Sequence, residues 1–134
     1  MTIKRMTKAD HPQSLGAFKP VGHVVVAMPD DARAGEAVRA LLQHGFERED
    51  VLEYSAAEED DEMDRMLQHA SDVAGFGYEV TLMRRYQELA RQGASWLIVY
   101  APTDERAEAV ADTVRGHGAL MAEKYHRLVI EDLI

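Results

Sequence analysis

The sequence predicts an α+β domain of ferredoxin-like type, with two β-α-β repeats and a two-helix insertion between the second and third strands. Three observations lead there. First, HVVVAM from His23 and SWLIVYA from Ser95 are short unbroken apolar runs, the pattern of central strands buried on both faces. Second, a shift of 73 positions superposes the two halves without a gap: Val26 falls on Val99, Pro29 on Pro102, Asp31 on Asp104, Arg33 on Arg106, Ala34 on Ala107 and His44-Gly45 on His117-Gly118. Third, VLEYS from Val51 and the stretch from Leu120 mix polar with apolar residues and suit the sheet edges. These give a strand order of 4-1-3-2 with antiparallel pairing at both edges. A flavodoxin-like parallel α/β sheet is the alternative, because helices separate every pair of strands.

Residues 1–20 show neither helical nor strand period and read as a flexible basic N-terminal arm. Residues 21–134 form a single α/β domain, with the first repeat at about 22–56, the helical insertion at about 58–92 and the second repeat at about 94–130. After the first strand, Asp30 is placed to cap a helix whose inward face carries Ala34, Val38, Leu41 and Leu42, and Gly45 stops it. EEDDEMD from Glu58 lacks the glycine and the alternating ligands of a calcium loop and reads as the acidic first turn of a helix. That helix buries Met63, Met66, Leu67, Ala70 and Val73; after Gly75-Phe76-Gly77 a second runs to about Gln92 with Leu82, Met83, Tyr86 and Leu89 inward. Thr103 caps the repeat's second helix, with Ala107, Val110, Ala111 and Val114 buried, and Gly116 or Gly118 ends it. One last strand is expected from near Leu120 through Tyr125 and LVI, and Leu133-Ile134 is expected to dock.

Composition narrows the function classes. The chain has 134 residues, a formal net charge of −9 and no cysteine, which excludes disulfides, thiolate metal sites and a cysteine nucleophile. Lys4, Arg5, Lys8 and Lys19 face only Asp10 in the arm, so the acidic excess lies in the body and nucleic acid is not an expected partner. No apolar run has the length of a membrane span and Met1 to Pro20 lacks a secretory h-region, so a cytoplasmic protein without membrane association is expected. The fold carries one further demand. Two repeat helices cover one sheet face only, whereas both apolar strands project side chains to both sides. The insertion or a second copy must cover the other face, and a homo-oligomer, preferably a dimer, is expected.

Few side chains point to chemistry. Tyr54, Tyr125 and His126 lie on predicted edge strands that can line one cleft, and His69 has Asp72 three residues on, too small a set to specify a metal. Met63, Met66 and Met83 form an adaptable apolar stripe, and Tyr86 lies near them. These eight residues (Tyr54, Met63, Met66, His69, Met83, Tyr86, Tyr125 and His126) are the candidate cleft or interface positions; no catalytic residue, cofactor or metal site is assigned. His44 and His117 sit at equivalent helix ends, where the dipole favours an imidazolium. Arg33 and Arg106 occupy matching first-turn positions; with the two central strands taken as parallel, both helix N-termini would face one anion. Asp30, Asp31, Asp104 and Glu105 crowd the same ends and argue against that site.

At GHVVVAMPDDARAGEAVRALLQHGFEREDVLEYS the chain resembles the heat-induced stress protein (YflT-type, general stress protein) domain family. The features that carry the likeness are the apolar strand, Ala34 and Ala37, Leu41, Gly45-Phe46 and Glu49-Asp50-Val51, over residues 22–56. Here a charged amphipathic helical pair stands where many members have a Gly- and Ala-rich segment. The resemblance implies a stress-associated protein and no catalytic residues. The expected function is a non-enzymatic, stress-associated interaction module; the alternative is a small-molecule-binding sensor or enzyme using a cleft between sheet and insertion, its ligand unknown.

Overall fold

The computed structural model describes residue 5, residues 21–55, residue 58 and residues 84–86, 88–89, 91–126 and 130–134. The architecture is α+β, with a five-stranded sheet in which every neighbouring pair is antiparallel. Its strands are β1 (His23–Met28), β2 (Val51–Tyr54), β3 (Ser95–Tyr100), β4 (Met121–Tyr125) and β5 (Ile130–Asp132), in the order β2-β3-β1-β4-β5. Read from the other edge, the first four strands stand as 4-1-3-2, an arrangement consistent with a ferredoxin-like kind of fold. The parallel flavodoxin-like alternative is excluded by the antiparallel pairing.

The two unbroken apolar runs are neighbours at the centre, His23 opposite Tyr100 and Met28 opposite Ser95. Every residue of β1 is buried. Helices α1 (Asp31–Gln43) and α2 (Asp104–Arg115) lie on one sheet face. Their starts are fixed by the expected caps: the Arg33 amide donates to Asp30 Oδ1 at 2.7 Å, and the Arg106 amide to Thr103 Oγ1 at 3.2 Å. Ser95 Oγ hydrogen-bonds Asp31, tying the start of β3 to the first turn of α1. After α1 and α2 the chain turns through Gly45 (φ 94) and Gly118 (φ 84), in the left-handed region where a Cβ would be strained.

Three expectations fail. The last strand is two strands, not one: beyond Tyr125 the chain reverses, and Glu123, Lys124 and Tyr125 pair with Asp132, Glu131 and Ile130. β4 is therefore an interior strand, and its residues are buried despite their mixed polarity. Leu133 packs against the helix-side core and its amide donates to Ala122 O at 2.9 Å, but Ile134 is exposed. Finally, β1 and β3 run antiparallel, so α1 and α2 begin at opposite ends of the sheet and no single anion can face both. Arg106 instead lies over the Phe46 ring, 4.1 Å from its centroid, and 3.6 Å from Asp50.

Asp50 is the joint at that end. It is buried, accepts from the Glu47 amide at 2.9 Å, and is met at 3.0 Å by Arg5, from the segment expected to be an arm. Ser55 and Glu58 form a reciprocal cap, Ser55 N to Glu58 Oε1 at 3.1 Å and Glu58 N to Ser55 Oγ at 3.3 Å.

Candidate functional site

Alternation along the strands divides the sheet into two chemically unlike faces. Val24, Val26, Met28, Leu97, Val99 and Ala122 face α1 and α2. Val25, Ala27, Tyr54, Trp96, Ile98, Met121 and Tyr125 face the other way and form a second core with Tyr86, flanked by Leu52, Leu89 and Ile130. Tyr86 and Leu89 belong to the helical residues 84–86, 88–89 and 91 and sit three apart, on one face of a helix. The second sheet face is thus covered, at Tyr86 and Leu89, by this chain's own segment.

Tyr86 organises that layer. Its ring packs against Trp96 with centroids 4.9 Å apart and planes tilted by 55°. Its hydroxyl lies 2.8 Å from Glu123 Oε1 and 2.8 Å from the Tyr125 hydroxyl. A phenol has one proton to give; Tyr86 gives it to Glu123, so Tyr125 donates to Tyr86. Glu123 is buried, and its direct cross-strand partner is Asp132, whose side chain hydrogen-bonds it and is exposed. The result is a chain of polar groups running from two buried phenols through a buried carboxyl to a carboxylate at the surface.

The electrostatics follow from burial. Loss of water pushes the Glu123 carboxyl up to about 7, aided by the hydrogen bond with Asp132 and by that carboxylate's charge; the Tyr86 hydroxyl and the Arg85 cation pull the other way. Burial also drives the Tyr86 phenol well above its ordinary value, with Tyr125 and Glu123 adding to the shift. Near neutrality Glu123 holds a proton about half the time, and when protonated it can donate to Asp132. A second polar group in the layer is unsatisfied: Trp96 Nε1 is buried and finds no hydrogen-bond partner among the described residues. Such an orphaned donor costs about 1–3 kcal/mol.

The structure brings together Tyr54, Tyr86 and Tyr125 from the sequence-derived candidates. His126 does not join them: its Nε2 is 2.9 Å from Glu131 Oε1 at the surface. Met63, Met66, His69 and Met83 lie outside the described residues, as does the acidic run at 59–64. Trp96 and Glu123 were not singled out by sequence, although Glu123 stands two residues from both Met121 and Tyr125 and so shares their buried face. His23 and Tyr100 extend the same aromatic face, their rings 5.2 Å apart. Among the described residues no group of three or more metal-ligating side chains converges, and no helix is long and apolar enough to cross a membrane.

Among the described residues, a small cleft of ≈ 180 Å³ is lined by Tyr125 and His126 with Lys124 and Asp104, and two larger clefts lie elsewhere. One of ≈ 580 Å³ runs beside β2 between Asp31, Arg48, Glu53 and Glu58; the other, ≈ 330 Å³, lies between α2 and β5 with Lys124 at its base, 3.8 Å from Asp104. Both are walled largely by exposed charges of mixed sign, which water and salt screen. Comparison with protein-family models, with curated proteins and with solved structures gave no match.

Proposed function

We propose that this chain is a small-molecule-binding sensor whose ligand enters the aromatic layer between the sheet and the helical segment that carries Tyr86. The observation that carries the reading is the polar content of a buried layer that apolar packing alone would have built more stably. Tyr86, Tyr125 and Glu123 are linked by 2.8 Å hydrogen bonds beside an indole N–H that has no partner among the described residues. Perturbed carboxyls and phenols gathered in one layer are the mark of a site. The ligand chemistry that fits is a planar, uncharged body lying against Trp96 and Tyr54, with one acceptor for Trp96 Nε1.

The interaction-module reading has as its support the resemblance over residues 22–56 and a sheet face that either the insertion or a second copy must cover. Tyr86 and Leu89 of the same chain lie on that face, which favours the insertion as the cover. The equal spacing of caps and turn glycines, 73 positions apart, supports the reading of a ferredoxin-like domain with two β-α-β repeats. The resemblance over residues 22–56 supports a stress-associated role for the sensor.

A thermal-shift screen of cellular metabolites tests the binding reading, with the intrinsic emission of the chain's one tryptophan as a second channel. A hit that raises the melting temperature, changes Trp96 emission and is lost in Trp96→Phe is expected. A broad screen without such a hit overturns it.

A further inference from the structure

The polar chain through Glu123 also suggests how the aromatic layer is controlled, and this inference rests on the binding reading above. β5 is a three-residue edge strand held on one side only, by β4. Its Asp132 stands directly opposite Glu123. On the layer's other side, Tyr86 donates to the same Glu123 carboxyl and packs tilted against Trp96. One buried carboxyl therefore touches both elements that close this end of the sheet.

We propose that Glu123, between Asp132 and Tyr86, is a proton-operated latch that holds β5 and the Tyr86-bearing segment on the aromatic face and releases them when it ionises. Every described group facing Glu123 enters the balance. Protonated, Glu123 donates to Asp132 and accepts from Tyr86, and both contacts are favourable. Ionised, it meets the Asp132 charge directly across the strand pair, where like charges destabilise. Tyr86 still donates to the anion, and Tyr125 still donates to Tyr86, but a buried carboxylate needs more than one donor. Arg85 offers a cation, yet it is exposed and screened. His23 lies on β1 farther along the same face and already engages Val21 O at 2.9 Å through Nδ1. Water admitted by an outward movement of Tyr86 and β5 would solvate the anion, and that movement uncovers Trp96. Burial and the neighbouring carboxylate place the ionisation in the neutral range, where a cell can use it.

Trp96 is the natural reporter, since it is fully buried against Tyr86. Acrylamide quenching of its emission should rise at least twofold between pH 5.5 and pH 8.5 in the native chain. Glu123→Gln keeps the shape of the neutral acid, with an amide oxygen to accept from Tyr86 and an amide N–H to donate to Asp132. It should stay as protected at pH 8.5 as the native chain is at pH 5.5. Asp132→Asn should move the midpoint of the rise toward lower pH by removing the like charge. A native chain whose quenching does not change with pH, or a Glu123→Gln variant that follows the native curve, overturns the latch. The two readings fail separately. Metabolite binding with equal affinity at both pH values leaves the sensor standing and removes the latch. A pH-gated Trp96 that binds no metabolite at either pH keeps the latch and removes the sensor.

Discussion

On the face covered by α1 and α2, the sheet presents Val24, Val26, Met28, Leu97 and Val99, and the helices answer with Ala34, Ala37, Leu41, Ala107, Val110 and Val114. On the opposite face the sheet presents Tyr54, Trp96, Tyr125 and Glu123, answered by Tyr86 and Leu89. The first face is aliphatic at its centre and closed by alanines that let the helices approach, with buried Lys124 at its margin beside Asp104. Its energetics are those of area removed from water, at roughly 25 cal/mol per Å². The second holds hydroxyls, a carboxyl and an indole N–H that must be matched group by group, and Trp96 Nε1 has no hydrogen-bond partner among the described residues. The two sides of one sheet thus differ in kind: one is closed mainly by aliphatic packing, and the other buries hydroxyls, a carboxyl and an indole N–H.

The comparison can be broken by mutation and by pH. Leu41→Ala removes a fully buried side chain from the aliphatic face and should cost about 2–5 kcal/mol. Denaturant melts should give a similar loss at pH 5 and pH 8, since Leu41 packs in an aliphatic cluster while the buried charges of that side, Lys124 and Asp50, lie at its margins; a difference above about 1 kcal/mol would undo the contrast between the faces.

The native chain itself should lose stability as pH rises. Glu123 in the fold holds its proton up to about 7, while the unfolded side chain releases it from about 4.5. Between those values the native state binds more protons than the unfolded state, so the stability supplied by this group is full below 4.5, falls through the window and is gone above 7. The shift corresponds to roughly 3 kcal/mol, an upper bound because Asp132 is in contact with water. Urea midpoints taken across that range check it. Glu123→Gln should flatten the curve and leave the variant more stable than the native chain at pH 8.

Smaller effects sharpen the picture. Tyr86→Phe keeps the ring and removes the donor, for a loss of about 1–2 kcal/mol at pH 5.5 that shrinks toward pH 8.5, where the ionised Glu123 has already released Tyr86. Asp30→Ala should cost about 1 kcal/mol by uncapping α1, independent of pH between 6 and 8. His126→Ala, at a pair with Glu131 that water reaches, should change the melting midpoint by no more than about 0.5 kcal/mol.

The aliphatic half of this design was largely legible in the sequence. HVVVAM and SWLIVYA located the central strands, because buried strands leave unbroken apolar runs. Asp30, Thr103, Gly45 and Gly118 marked helix ends, because capping and positive φ restrict residue choice. The other half was harder to read. Ile130–Asp132 is too short to show a period, and two of its three residues are exposed, so nothing in IED announces a strand. Without β5, β4 reads as an edge, and a polar Glu123 within MAEKY draws no notice. The sign of its burial lies in its alternation with Met121 and Tyr125. The antiparallel run of β1 and β3 was missed through topology rather than residues: a crossover helix makes β1 parallel to β2, and β3, antiparallel to β2, must then oppose β1. Tyr86 and Trp96 come together across a sequence separation that no local pattern encodes.

The account turns on the titration of one side chain. Carbon-13 NMR of the Glu123 side-chain carboxyl, assigned by its loss in Glu123→Gln and followed from pH 3 to pH 9, measures it directly. A midpoint near 7 in the native chain, lowered in Asp132→Asn, is the result predicted by burial beside Asp132 and Tyr86. A midpoint near the ordinary 4.5, unmoved by Asp132→Asn, would contradict the assignment of this face as the working one.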